Sequence, residues 1–342
     1  MLSSPTARII GFAALALLLV AGWSTPPDAA YIPKQPVPGG PNDADLFRAV
    51  VDRVGQGHSY YVAMGEELEA RGYPTGKVVN WRTPIYLTLL ARAPAPMLGL
   101  LWFLGALVVA GTAQMAHRLT APSRWWPVVI LQIGVVMTVV NPLRFTYSEP
   151  LAGLLIALSV LVALRGWRDT SVLLGTAALF VRELAAPYVG IRILLAVWKR
   201  DWRAAAGWSL GLVCYAAYYL WHWSQVVDAM PLHPAIHVYP YWQMGGLQFL
   251  MATLNTNVWL ALLPWWMMPV ALVAAIWGAC RAPLVVRLPV LGYLALFAVV
   301  GMPFNWYWGW VPGMLLPLAW AHAAAGLPSL TIGRQSIRVA LN

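Results

Sequence analysis

PNDADLFRAVVDRVGQGHSYY, residues 41–61, is the most polar stretch of a chain that is 60% hydrophobic and only 10% charged. Soluble domains carry about 25% charged residues, so a group of acids placed just after the first apolar run needs a reason. Upstream of it lies an apolar run over 8–24. Its length also suits a signal peptide, but Trp23 interrupts the small-residue pattern that a cleavage site needs, and the run reads as a retained anchor. Downstream, apolar runs recur over 96–116, 127–141, 150–164, 171–181, 184–198, 204–222, 257–279, 288–302 and 311–326. A helix needs about 20 apolar residues to cross the hydrocarbon layer. The reading is therefore an all-α, polytopic membrane protein of about ten transmembrane helices forming one integral domain, 1–342. Several runs are short, which predicts broken or tilted helices packed inside the bundle.

Basic residues in the short loops orient the chain. With the N-terminus inside, the inner pieces carry Arg8; Arg118 and Arg124; Arg165 and Arg168; Lys199, Arg200 and Arg203; Arg281 and Arg287; and Arg334 and Arg338. The short outer pieces hold only Arg144 and Arg182. The formal charge of +10 is thus mostly a topology signal. Nucleic-acid binding would need these residues gathered on one face, and they are dealt out a few per loop. Cys214 and Cys280 fall within or at the edge of apolar runs and define no disulfide framework.

On this orientation two loops are external, 25–92 and 223–256, and the first holds seven of the twelve acids: Asp28, Asp43, Asp45, Asp52, Glu66, Glu67 and Glu69. The Pro- and Gly-rich entry to the first loop predicts irregular chain. Leu46, Val50 and Val54, flanked by Phe47 and Val51, recur at helical spacing and predict an amphipathic helix over Asp43–Val54. GQGHS ends it, and a second helix is predicted over Tyr61–Arg71. Both are expected to lie on the outer membrane surface. An N-cap at Asn42 or Asp43 accounts for one acid; it does not account for Asp45.

Other polar groups belong to the same outer face. Glu149 opens a span, and Arg182 with Glu183 stands between two runs too short to be comfortable alone. An ionised side chain near mid-bilayer costs about 2.5–3.5 kcal/mol on insertion scales and marks a candidate functional group. The second loop carries HPAIHVYPYWQ, with His233, His237 and Tyr239 as candidate substrate contacts, and FNWYWGW adds aromatics near the end of the chain. Such aromatics form interfacial belts or sugar-stacking surfaces with equal ease. His233 and His237 lack a flanking carboxylate, and the Asp43-Ala44-Asp45 pair is the candidate for a divalent ion if any is bound, although hard cations want more oxygen ligands than two carboxylates supply. No metal is assigned.

The layout resembles the GT-C fold glycosyltransferases that use polyprenyl-phosphate sugars, the group that includes protein mannosyltransferases and lipid A aminoarabinose transferases. The family pattern of an Asp, an aromatic four residues on, a Gly and a closing aromatic is matched by Asp43, Phe47, Gly57 and Tyr60 or Tyr61. NWRTP supplies Arg82 and Pro84, and Glu149-Pro150-Leu151 and Arg182 match two further features. Ala44 stands where many relatives have Glu, and Phe47 where Tyr is commoner, so the choice between Asp43 and Asp45 stays open.

The resemblance implies a membrane transferase of the cell envelope. Its site would face the periplasm or exterior, and it would move a sugar from a polyprenyl-phosphate donor to an acceptor hydroxyl with inversion. Asp43 or Asp45 would act as the base, with Arg82, Glu149, Arg182 and Glu183 around the substrate and Arg182 gripping the donor phosphate. The alternative is a secondary transporter of a small polar or anionic substrate, because intramembrane charges and broken helices mark such pathways too. It predicts two halves of similar hydropathy, and the long first loop has no counterpart. A noncatalytic assembly protein, the third class, has no need of acids grouped at one face.

Overall fold

The structure is a computed structural model that describes residues 5–25, 42–139, 141, 144–233, 243–301 and 303–327. Those residues form helices, 3₁₀ turns and connecting loops, with no strand among them. After α1 (Pro5–Trp23) come three short helices, α2 (Asp43–Gly55), α3 (Tyr60–Ala70) and α4 (Pro84–Arg92). Longer helices follow: α5 (Pro94–Leu119), α6 (Trp125–Val139), α7 (Glu149–Leu164), α8 (Arg168–Val181), α9 (Ala186–Trp198) and α10 (Trp202–Ala229). The last part is more broken, with α11 (Gly246–Leu254), α12 (Val258–Ala261), α13 (Met268–Arg281), α14 (Leu284–Val299), α15 (Trp310–Gly313) and α16 (Leu316–Ala325).

Local chemistry sets the ends of the short helices. Asn42, in extended geometry, accepts a hydrogen bond from the Ala44 amide at 3.0 Å and caps α2. The cap leaves Asp43 as the first helical residue, and Leu46, Phe47 and Val50 turn inward. Gly57, at φ +99°, lets the chain reverse after α2 in a conformation that side-chain-bearing residues rarely adopt. Ser59 caps α3, and Pro84 and Pro94 occupy the first turns of α4 and α5, where the missing amide hydrogen costs nothing. The two helices expected in the first loop are thus present within about one residue of their expected ends.

α7 is the centre of the molecule. It is buried from Glu149 through Val162 and packs against α5, α8 and α15. Gly153 permits the closest approach, since a Cβ there would lie 2.5 Å from the Trp310 carbonyl oxygen. The break between α8 and α9 falls where the two short apolar runs meet: Arg182 is extended, Glu183–Ala185 is a 3₁₀ turn, and Pro187 lies in the first turn of α9.

Among the described residues one helix, Pro94–Leu119, is both long and apolar enough to cross a membrane. Trp125–Val139, Glu149–Leu164 and Leu284–Val299 are apolar but shorter. Apolar side chains face outward on several elements, including Phe12 and Leu17 on α1, Trp102 and Phe103 on α5, and Leu210, Val213 and Leu220 on α10. The runs expected to be continuous over 257–279 and 311–326 are interrupted. The first becomes α12, a 3₁₀ turn at Trp265–Met267 and α13; the second becomes α15 and α16. Pro264, Pro269, Pro312 and Pro317 are the physical reason, because each removes an amide donor that a continuous helix would use. α10, by contrast, runs on to Ala229, and α11 buries Phe249 through Leu254, so both ends of the segment 223–256 are helical.

Candidate functional site

Asp43 stands at the head of α2 with its carboxylate directed toward the body of the protein. The Tyr73 hydroxyl donates to Oδ1 at 2.7 Å, and the Tyr307 hydroxyl donates to Oδ2 at 2.7 Å. Tyr73 follows α3, while Tyr307 comes from the late FNWYWGW segment, so this single carboxylate joins the segment of α2 and α3 to the far end of the chain. Burial, followed by the Asp43 charge and hydrogen bond, raises the Tyr73 phenol well above its ordinary pKa. It therefore remains a hydrogen-bond donor at physiological pH. A carboxylate offers about four lone-pair sites, so these two bonds leave acceptor capacity at Asp43.

Tyr307 passes the connection on. Its oxygen accepts a hydrogen bond from Nη2 of Arg82 at 3.0 Å. Arg82 is fixed at its backbone, where the Tyr60 hydroxyl donates to the carbonyl at 2.6 Å, and its guanidinium lies over the Phe47 ring, 5.5 Å from the centroid. Burial disfavours the charged form of Arg82. The oxygens of Tyr307, Glu149, Glu183 and Asp43 together outweigh that penalty and hold its pKa above the usual arginine value.

Arg82 leads to the second arginine through Glu183, whose Oε1 lies 3.7 Å from Nη1 of Arg82 and also contacts Nη1 of Arg182. Arg182 in turn donates from Nε to Glu149 Oε1 at 2.8 Å, with both side chains nearly inaccessible, at 3% and 1% exposure. Breaking such a buried pair by removing one partner costs about 3–5 kcal/mol. The break between α8 and α9 is what turns Arg182 toward the head of α7, where Glu149 begins its first turn.

Beside the arginines is a narrow crevice of about 10 Å³, room for about one water, bordered by Phe47, Arg82, Tyr86, Thr146, Ser148 and Arg182. The Thr146 hydroxyl is buried and has no hydrogen-bond partner among the described residues. The arrangement sets a carboxylate, Asp43, and two guanidiniums along one line of hydrogen bonds and ion pairs.

Five of the residues singled out from sequence meet here: Asp43, Arg82, Glu149, Arg182 and Glu183. Asp45 does not. Its side chain is 52% exposed and contacts Arg48 at 3.4 Å and the Asn42 amide at 3.1 Å. Residues two apart on a helix are about 200° apart around its axis, which is why Asp43 and Asp45 have different partners and do not act as one pair. His233 also stands elsewhere, with Nδ1 2.8 Å from Glu69 Oε2 and its ring against Trp81. His237 and Tyr239 lie outside the described residues. Among the described residues no three His, Cys, Asp or Glu side chains are grouped as metal ligands.

Sequence reasoning missed Tyr73 and Tyr307 as partners of Asp43. Tyr307 lies in a segment read only as rim aromatics, and nothing local distinguishes it from Tyr or Trp at a membrane interface. In comparisons with known proteins, no family model matches the chain, and no curated protein or solved structure matches it.

Proposed function

We propose that the chain is a glycosyltransferase embedded in the cytoplasmic membrane, with its site on the periplasmic or external side. It transfers a sugar from a polyprenyl-phosphate donor to the hydroxyl of an acceptor. The observation that carries this reading is the line Asp43–Tyr307–Arg82–Glu183–Arg182, which sets a carboxylate at one end and a pair of guanidiniums at the other. Outward-facing apolar side chains on α1, α5 and α10 suit a lipid environment.

In this reading Asp43 removes the proton of the attacking hydroxyl as its oxygen bonds to the anomeric carbon. The bond from that carbon to the phosphate oxygen breaks, and its electron pair leaves with the phosphate. A positioned base contributes about 10²- to 10⁴-fold. Negative charge develops on the departing phosphate, and preorganised guanidiniums in a site shielded from water stabilise it most. Arg82, more accessible than Arg182, and the Thr146 hydroxyl supply donors on the crevice side.

The test is donor binding by variants that keep the fold. Arg182→Ala would strand Glu149, so the informative changes are Arg182→Lys and Arg82→Gln. Lys keeps a charge for Glu149 but loses the bidentate fork. Both variants are expected to bind a polyprenyl-phosphate sugar at least about tenfold more weakly than wild type, with thermal unfolding midpoints close to wild type. Wild-type affinity in both well-folded variants would sink the reading.

A further inference from the structure

The transfer chemistry leaves Glu183 without a task. Its position is unusual for a simple counter-ion, because one oxygen, Oε1, contacts Nη1 of Arg182 and faces Nη1 of Arg82 at 3.7 Å. A phosphate oxygen bound by both arginines would occupy the same place.

The two carboxylates that serve Arg182 are not equivalent. Glu149 is 1% exposed at its side chain and holds Nε from the first turn of the central helix α7. Glu183 is 38% exposed and sits on a three-residue 3₁₀ turn between α8 and α9. Of the two partners of Arg182, Glu149 is therefore the shielded one and Glu183 the one that solvent reaches. Charge counting leads to the same assignment. Asp43, Glu149 and Glu183 supply three carboxylates against the guanidiniums of Arg82 and Arg182. An anion added to this set increases an existing negative excess, whereas a singly charged anion that takes the place of Glu183 leaves the balance unchanged.

We propose that Glu183 is the resident anion of the two-arginine site: the donor's phosphodiester displaces it, and its return expels the phosphomonoester product. This rests on the lipid-phosphate reading above and adds to it a residue that governs affinity for the two phosphate species. The donor carries one phosphate charge, while the released monoester carries about 1.5 to 2 and would otherwise hold the arginines more tightly than the donor did. A tethered carboxylate that competes for the same guanidiniums offsets that preference.

The experiment compares wild type, Glu183→Gln and Glu183→Asp in detergent. The probes are inorganic phosphate and a polyprenyl monophosphate, with turnover of a polyprenyl-phosphate sugar measured in parallel. Gln removes the competing charge while keeping the shape, and Asp draws the carboxylate back by one methylene. Glu183→Gln is expected to bind both probes at least about tenfold more tightly than wild type. It should slow in steady state as release of the phosphomonoester becomes limiting; Glu183→Asp should fall between. The sign separates this from a structural role, since a residue that merely positions Arg182 would weaken phosphate binding when changed. Affinity equal to or lower than wild type in Glu183→Gln, or in Glu183→Asp if the Gln variant fails to fold, overturns the proposal while the lipid-phosphate reading stands. Binding of neither probe by any of the three proteins overturns both.

Discussion

Asp43 and Asp45 are two residues apart and lie on different sides of α2. Asp43 receives the hydroxyls of Tyr73 and Tyr307, whereas Asp45 contacts Asn42 and Arg48 at the surface. Because Asn42 is the cap, Asp43→Asn leaves the helix start intact and tests the carboxylate alone. It is expected to lower sugar transfer from a polyprenyl-phosphate donor by at least about 10²-fold, with an unfolding midpoint lowered by the loss of one of the two hydroxyl contacts, about 1.5–3 kcal/mol. Asp45→Asn is expected to leave transfer within about twofold of wild type, as exposed ion pairs contribute at most about 1 kcal/mol. Full activity in Asp43→Asn would remove this carboxylate from the chemistry.

At the scale of elements, the contact of α13 with α16 depends on Gly278. A Cβ at that position would lie 2.0 Å from the Ala319 carbonyl oxygen and 2.7 Å from its carbon, and a backbone atom has no rotamer with which to yield. Gly278→Ala is expected to destabilise the protein by about 1–3 kcal/mol or more through overpacking. Gly99, on the exposed side of α5, has nothing within 4 Å of the added carbon. Gly99→Ala is therefore expected to be neutral or to stabilise by up to about 1 kcal/mol, the usual helix preference for Ala over Gly. Thermal unfolding of the two variants in one detergent checks the contrast; similar midpoints would contradict the α13–α16 packing described above.

For the whole molecule, the proposed function needs α2 to α4 on the external side of the membrane. Gln56, just after α2, and Arg165, between α7 and α8, are both exposed and fall on opposite sides in the orientation derived from the short-loop arginines. Single cysteines at these two positions report the orientation after the exposed Cys214 and Cys280 have been replaced by Ser. In intact cells an impermeant thiol reagent is expected to label the cysteine at 56 and not the one at 165. The reverse pattern would overturn the orientation and the external site together.

Residues 41–61 carried a large part of this in their order alone. Asn42 before a 3.6-residue apolar pattern, GQG after it, and prolines at the head of α4 and α5 are local instructions, because caps and amide donors act within one turn. The same locality marked Arg182 and Glu183, which stand where two apolar runs are each too short. It failed at prolines inside apolar runs, as at Pro264 and Pro312, where hydropathy continues and the helix does not. The partners were decided by tertiary structure. Tyr307 meets Asp43 across 264 residues of chain, and Arg82 meets the same hydroxyl across 225. Neither has a periodicity or spacing that announces it. Which of two neighbouring acids turns inward is set by the helix phase of Leu46, Phe47 and Val50 against the core, and what it then touches is set by how α15 and its preceding turn pack beside α7.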